Sequence, residues 1–256
     1  MSNLVQDLKE IDSATLNLRY EHLPADEIVA ATIAAYGNEV SFANSFGLED
    51  VALTHLMLPH QDRVEILVLD TGRLPKATFA VIEAWQQKYG LKIRIEQPAS
   101  GDLHRWVSQH GLDAFYQSVE LRQQCCHLRK IEPLERALSG KKAWLTGLRR
   151  SQSHSRQKTQ IFERDTQGRL KVSPLANWSL DQTWSYVKAQ GLPYNRLHDK
   201  GFPSIGCEPC TRAVKPGEDI RAGRWWWEGE TKKECGLHSR TQLTTPQLEI
   251  LDARQS

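Results

Sequence analysis

Five cysteines are the residues of this chain best suited to chemistry: Cys125, Cys126, Cys207, Cys210 and Cys235. The odd count argues against a closed set of disulfides, and in a reducing compartment cysteines serve more often as metal ligands or catalysts. Cys207 and Cys210 form a C-x-x-C pair, a spacing typical of metal or redox sites. Because four thiolates fill a metal site, the count divides into four candidate ligands and one further thiol.

The adjacent cysteines Cys125 and Cys126 help to distinguish a zinc ion from an iron–sulfur cluster as the metal centre. On a predicted helix their side chains point about 100° apart. A single zinc ion usually binds cysteines two to four positions apart, whereas the separate irons of a cubic cluster accept neighbouring thiolates more easily. The pattern favours an iron–sulfur cluster on all four cysteines. Zinc, a redox-active dithiol and buried structural cysteines stay open as alternatives.

Cys235 is the cysteine left over. It follows Lys232 and Lys233 and stands three residues before His238. Positive neighbours favour the thiolate, which is the reactive form of cysteine. We therefore predict that Cys235 is a nucleophile, and the alternative is a tail cysteine without a role.

Basic residues lie close in sequence to these motifs, and arginine binds phosphate or sulfate through two parallel hydrogen bonds while lysine acts as a point charge. They are Lys130, Arg149, Arg150, Arg156, Lys158, Arg221 and Arg224. Most of the other basic residues are predicted to be solvated surface charge. The net charge of +2 gives no indication of a nucleic-acid partner.

The elements that would position these residues alternate between helix and strand. This alternation predicts an α/β fold with a doubly wound, mostly parallel sheet, followed by an irregular C-terminal segment. Helices are predicted over 26–36, 49–58, 78–89, 120–138 (kinked at Pro133), 180–189 and 219–227. Strands are predicted over 39–43, 64–69, 91–95 and 143–147, with a hairpin of 159–163 and 170–172.

One domain is expected over 1–238, with a nucleotide-binding core over about 20–190, a cluster and catalytic segment over 191–238, and a mobile tail over 239–256. No stretch is long and apolar enough to span a bilayer, and the N-terminus lacks the apolar core of a secretory signal. We therefore expect a cytoplasmic protein with no membrane association.

Two turns are candidates for ligand binding, because open α/β sheets bind ligands outside the carboxyl ends of their strands. Ser45 begins a turn that contains Gly47 and leads into a helix, whose N-terminal N–H groups can bind an anion. Leu69 ends the next strand, and backbone groups there could bind an adenine. The alternative is that both are ordinary strand-to-helix turns.

These motifs in this order resemble the adenylyl-sulfate and phosphoadenylyl-sulfate reductases of sulfate assimilation. The matching segments are SFGLEDVAL, VLDTGRL, CCHLRKIEPL, WLTGLRRSQS, SIGCEPCTR, IRAGRWWWEG and KKECGLH. They cover about residues 40 to 238, and the combination of CC, CxxC and ECGLH is highly specific, whereas each piece alone is weaker.

The resemblance implies an adenine nucleotide α-hydrolase-like fold and a [4Fe–4S] cluster on Cys125, Cys126, Cys207 and Cys210. It also implies that Cys235 attacks the sulfur of adenosine 5'-phosphosulfate and expels AMP, and that thioredoxin then cleaves the adduct to release sulfite. By the same match, the residues around the nucleotide or its sulfate would be Ser45, Leu69, Lys130, Gly147, Arg156, Arg221, Arg224 and His238. The sequence allows a homo-oligomer but does not determine the oligomeric state.

Three other functions remain open. The nearest is the same reaction on 3'-phosphoadenylyl sulfate; the four cysteines favour the unphosphorylated nucleotide. An ATP-dependent iron–sulfur tRNA thiolase would carry an SGGxDS-type loop, but here the turn is SFGLED. A zinc-stabilised nucleotide-binding module without enzymatic activity would be colourless and would not depend on Cys235.

Overall fold

A computed structural model describes residues 2–229 of the chain. Six strands form one sheet in the order β3-β2-β1-β4-β6-β5. All neighbours are parallel except β5 and β6, which form the predicted hairpin at one edge. The strands are β1 (Val40–Ala43), β2 (Glu65–Leu69), β3 (Ile93–Glu96), β4 (Ala143–Leu145), β5 (Phe162–Arg164) and β6 (Leu170–Val172). The predicted fold class is confirmed, although β5 begins three residues later than expected.

Both faces of the sheet are covered, which explains why β2 is a continuous apolar run. Ile66 and Val68 pack into the larger core on one face. Leu67 lies on the other face with Trp144 of β4 and Leu134. Successive strand residues point to opposite faces, so a strand buried on both sides has no position at which a polar residue is favoured.

The helices of the structure are α1 (Ser2–Glu10), α2 (Ser13–Tyr20), α3 (Ala25–Tyr36), α4 (Leu48–Met57), α5 (Lys76–Tyr89), α6 (Ser100–His110), α7 (Val119–Cys126), α8 (Glu132–Ala137) and α9 (Leu180–Ala189). The predictions for α3, α4, α5 and α9 are confirmed to within two residues at each end. Helices α1, α2 and α6 have no counterpart among the predictions. All three are polar on average and contain a smaller share of apolar residues than α3 or α4, so few apolar positions mark their buried face.

The long helix predicted over 120–138 is interrupted rather than simply kinked. A single π-helical turn, His127–Ile131, lies between α7 and α8. Pro133 follows it directly, and proline has no N–H with which to bond the carbonyl four residues earlier. The π-helix is rare and occurs mostly as single turns inside α-helices, frequently at functional sites.

The helix predicted over 219–227 is wrong. This stretch is a series of turns in which Ala222 N bonds Asp219 O (2.9 Å) and Trp225 N bonds Cys210 O (3.2 Å). Trp225 has φ +43°, which a right-handed helix cannot contain. Hydrogen bonding between this stretch and the loop that contains Cys210 therefore outweighs local helix formation.

Within residues 2–229, no helix combines the length and apolar character that a membrane span requires.

Candidate active site

A cavity lies where the strand order of the sheet reverses. β2 and β3 lie on one side of β1, and β4 lies on the other. Ligands of open α/β sheets bind at such a switch point, outside the carboxyl ends of the strands. The turns that follow β1, β2 and β4 all line this cavity.

Asp50 of α4 holds two of these turns together. Its carboxylate accepts hydrogen bonds from the Ser45 amide (2.7 Å), the Ser45 hydroxyl (2.6 Å) and the Gly147 amide (3.1 Å). Burial raises the pKa of this carboxyl to about 6, although the hydrogen bonds from Ser45 and Gly147 act in the opposite direction. Its two oxygens accept all three hydrogen bonds, two at Oδ2 and one at Oδ1.

Gly147 approaches α4 so closely that a side chain does not fit. A Cβ there would overlap Asp50 Oδ1 and lie 3.1 Å from Glu49 Cβ. We expect Gly147→Ala to lower the free energy of unfolding by about 1–3 kcal/mol, as overpacking usually does. If the cavity binds AMP, as the resemblance to the reductases implies, this variant should also weaken AMP binding, because Asp50 must move. Thermal unfolding and AMP titration measure the two effects.

Gly101→Ala is the matched control for Gly147→Ala. Gly101 lies in α6, and a Cβ there meets nothing within 4 Å. Gly101 is the exposed second residue of α6, so this variant should change the free energy of unfolding by less than about 0.5 kcal/mol. Wild-type stability and AMP affinity in Gly147→Ala would contradict the role assigned to this close approach.

Seven residues predicted from the sequence to bind substrate line this one cavity. They are Ser45, Leu69, Lys130, Gly147, Arg156, Arg221 and Arg224. They come from five separate stretches of the chain, so only the tertiary fold brings them together. Their individual roles remain predictions.

The four candidate ligand cysteines lie beside the cavity in one buried cluster with Trp106, Phe115 and Trp225. Cys125, Cys126, Cys207 and Cys210 are all buried, and none of them is joined to another by a disulfide. The hydroxyl of Thr71, in the turn after β2, lies 3.2 Å from Cys207 Sγ. Across residues 2–229, no three His, Cys, Asp or Glu side chains form a group compact enough to hold a single metal ion.

Charged groups reach the cysteines from the π-turn and the C-terminal segment. Burial raises the pKa of the Cys125 thiol, and the Arg129 charge opposes the change. Burial, followed by the charge of Cys207, raises the pKa of Cys210 to about 12, while Lys130 and Arg224 act to lower it. Lys130 lines the cavity, and its charge also acts on Cys210.

The C-terminal segment, which the structure describes over residues 211–229, is held to itself and to the Cys207–Cys210 loop by backbone hydrogen bonds. Thr211 pairs with Arg224 in an antiparallel bridge, and Arg212 N bonds Gly223 O (2.9 Å). The guanidinium of Arg224 crosses Gly206 so closely that a Cβ there would overlap it. This arrangement places the side chain of Arg224 in the cavity wall although it does not lie on a helix.

Comparison with known proteins identifies the family. The sequence profile of the phosphoadenosine phosphosulfate reductase domain matches residues 39–213. The chain belongs to this family. A protein of Burkholderia cepacia named adenosine 5'-phosphosulfate reductase is 48% identical over 86% of this chain and 88% of its own length. A protein of the same name from Allochromatium vinosum is 48% identical over 79% of this chain and 80% of its own.

Solved structures agree with the assignment to the reductase family. The crystal structure of phosphoadenylyl-sulfate reductase from Candida auris, a phosphate complex, superposes with a TM-score of 0.67 and 25% identity, covering 78% of this chain and 95% of that one. FMN adenylyltransferase from Candida glabrata superposes with a TM-score of 0.53 at 15% identity, covering 94% and 86%. The second likeness shows the fold alone.

Two residues that the reductase resemblance assigns to the site, Cys235 and His238, lie outside the described residues. The structure also identifies residues that the sequence analysis missed. Asp50, Thr71 and Arg129 contact the site, and Arg129 Nη1 bonds the Thr71 carbonyl (2.6 Å). Each lies inside a motif that was recognised, but only the tertiary contacts distinguish a buried partner from a solvated polar residue.

Proposed function

We propose that this chain reduces adenosine 5'-phosphosulfate to sulfite and AMP as part of sulfate assimilation. The observation that carries the proposal is that Lys130, Arg221 and Arg224 line the same switch-point cavity as the turns at Ser45 and Leu69. This combination suits a nucleotide whose phosphate bears a sulfonate. Relatives named adenosine 5'-phosphosulfate reductase, 44–49% identical to this chain, add independent support.

The nucleotide half of the substrate would lie along the strand ends. Backbone groups at Leu69 would bind the adenine, and Gly147 would lie against the ribose, where the lack of a side chain leaves room. The phosphate would bind at the Ser45 turn, where α4 begins at Leu48 and its free N–H groups favour an anion. Arg156, also in the cavity wall, would neutralise the phosphate.

The sulfonate half would lie against the basic groups. Lys130, Arg221 and Arg224 would reduce the repulsion between an attacking thiolate and an anionic substrate, a role that is strongest where water is excluded. His238 would bind the same group from the C-terminal segment. Because AMP is a good leaving group, the reaction needs no strong acid catalyst.

The chemistry divides into two steps. The Cys235 thiolate attacks the substrate sulfur, a sulfur–sulfur bond forms, and the bond from sulfur to the phosphate oxygen breaks as AMP leaves with its electron pair. Thioredoxin then supplies two thiols: one attacks Cys235 Sγ and releases sulfite, and the second resolves the mixed disulfide. The dithiol is oxidised to a disulfide while the sulfonate sulfur is reduced to sulfite.

The four buried thiols fit a [4Fe–4S] cluster as ligands. Cys125, Cys126, Cys207 and Cys210 are buried, and none of them is joined to another by a disulfide. Buried N–H groups in or beside their cluster have no hydrogen-bond partner, which suits donation to sulfide or thiolate. These groups are Arg129 Nε, Arg224 Nε, Trp225 Nε1 and Trp227 Nε1. When bound, such a cluster would link α7 to the Cys207–Cys210 loop. It would also polarise the part of the cavity in which the sulfonate is proposed to lie.

Metal analysis tests the cofactor. Protein purified without oxygen should contain about four irons and four sulfides per chain and absorb broadly in the visible range. Cys207→Ser should lose most of both, since one ligand is removed, whereas Cys235→Ser should retain them. Zinc in place of iron, or equal iron in the two variants, would contradict the ligand assignment.

Sulfite release tests the substrate. With thioredoxin present and the nucleotide limiting, we expect faster sulfite release from adenosine 5'-phosphosulfate than from its 3'-phosphorylated form. The second nucleotide is the nearest alternative, because the Candida auris structure is of a phosphoadenylyl-sulfate reductase. Equal or faster release from the 3'-phosphorylated form would overturn the preference, and release from neither would overturn the function.

A further inference from the structure

A buried ion pair joins helix α7 to the C-terminal segment. Arg122 Nε donates to Glu228 Oε1 and Arg122 Nη2 donates to Glu228 Oε2, both at 2.8 Å. The two side chains are only 1% and 3% exposed. Two parallel hydrogen bonds between an arginine and a carboxylate fix the relative orientation of the two side chains as well as the distance between them.

Each end of this pair lies next to a functional element. Arg122 precedes Cys125 and Cys126 by three and four residues on α7, so the three side chains share one side of the helix. On the other segment, Glu228 N bonds Trp225 O (2.9 Å). The Arg122 guanidinium also lies 4.7 Å from the centre of the Trp225 ring. Trp225 lines the cavity, so the pair connects the cysteine helix to the cavity wall.

Glu228 is also close in sequence to the proposed nucleophile. Cys235 follows it by seven residues, so a fully extended backbone between them spans at most about 25 Å. The position of Glu228 therefore limits where Cys235 can be presented.

We infer that Arg122 and Glu228 form an anchor that positions the Cys235 segment for sulfonate transfer, which makes both of them positioning residues. The inference rests on the proposed function of Cys235. Stability alone explains the pair poorly, because removing two charges from water offsets much of their attraction, and apolar residues often stabilise as well. A defined orientation is what the pair supplies and an apolar contact does not.

Glu228→Gln tests the anchor, with Glu218→Gln as its matched control. Glu218 accepts two hydrogen bonds from Arg212 (2.8 and 3.0 Å) within the same segment and makes no connection to α7. The protein, with its cluster, is mixed with adenosine 5'-phosphosulfate without reductant, and the rate of SO3 transfer to Cys235 is followed by mass spectrometry. AMP affinity and visible absorption are measured in parallel.

We expect Glu228→Gln to slow SO3 transfer by about 10-fold to 100-fold, the size of effect that misplacing a reacting group produces. AMP affinity and visible absorption should change by less than about twofold, and Glu218→Gln should match the wild type within about twofold in every measurement. The double variant Arg122→Met with Glu228→Met removes both charges of the pair, and it should be similarly slow.

Wild-type transfer rates in Glu228→Gln or in the double variant would overturn the inference. A parallel loss of transfer, AMP binding and colour would also overturn it, since that result indicates a purely structural role. If the wild-type chain itself took up no SO3, the proposed function would be wrong and the inferred anchor would be wrong with it. That result differs from a failure of the anchor alone, in which the wild type takes up SO3 and the variants do so at the same rate.

Discussion

Replacing Cys235 by serine should lower the rate of sulfite release by about 10⁴-fold or more, the scale of loss when a nucleophile is removed. A serine hydroxyl is almost entirely protonated at neutral pH and is a poor nucleophile, whereas positive neighbours such as Lys232 and Lys233 favour the reactive thiolate form of a cysteine. Sulfite release with thioredoxin measures the loss. Visible absorption and AMP affinity should stay at wild-type values, because Cys235 is neither a proposed cluster ligand nor a nucleotide ligand.

Thr244→Ala is the control for this variant, because it alters a small polar side chain nine residues further along the same terminal segment. Its turnover should lie within about twofold of the wild type. Substantial turnover in Cys235→Ser would assign the nucleophile to another residue. Loss of colour in that variant would instead place Cys235 among the cluster ligands.

Replacing Lys130 by glutamine should lower the rate of SO3 transfer by about 10²–10³-fold, the usual cost of removing one group that stabilises charge in a transition state. Lys130 lines the cavity, and its charge also lowers the pKa of Cys210. Without it, two anionic reactants would meet with less positive charge beside them. Transfer to Cys235 in a single turnover isolates this step from thioredoxin.

Lys142→Gln removes the same charge at a distance from the site. Lys142 precedes β4, its side chain is 64% exposed, and it pairs with Glu39 (2.8 Å). Its transfer rate should stay within about twofold of the wild type. Equal effects from Lys130→Gln and Lys142→Gln would indicate that only the net charge of the protein matters. An unchanged rate in Lys130→Gln would show that the charge of Lys130 does not assist SO3 transfer.

The α/β architecture was predictable because its signals are local. The run from Val64 to Leu69 has no polar break other than Glu65, as a strand buried on two faces requires. Helix α9 has Ser179 as its N-cap, and the side chain accepts from Gln182 N (3.0 Å). Such features depend on a few neighbouring residues, so they can be recognised without knowledge of the tertiary structure.

Features that depend on long-range contacts were not predictable. The Arg122–Glu228 pair joins residues 106 positions apart, and nothing local distinguishes this arginine from a solvated one. The turns around Trp225 replace a helix because backbone groups there bond the Cys210 loop instead. In the same way, the buried position of Asp50 in α4 depends on the approach of Gly147 from the turn after β4.

The most direct test of the central claim is mass spectrometry of the protein after it has been mixed, without oxygen or reductant, with adenosine 5'-phosphosulfate. We predict that a single SO3 group appears on the peptide containing Cys235, that one AMP is released for each group transferred, and that thioredoxin removes the group as sulfite. An unmodified Cys235, or SO3 on any of the four buried cysteines, would contradict the account.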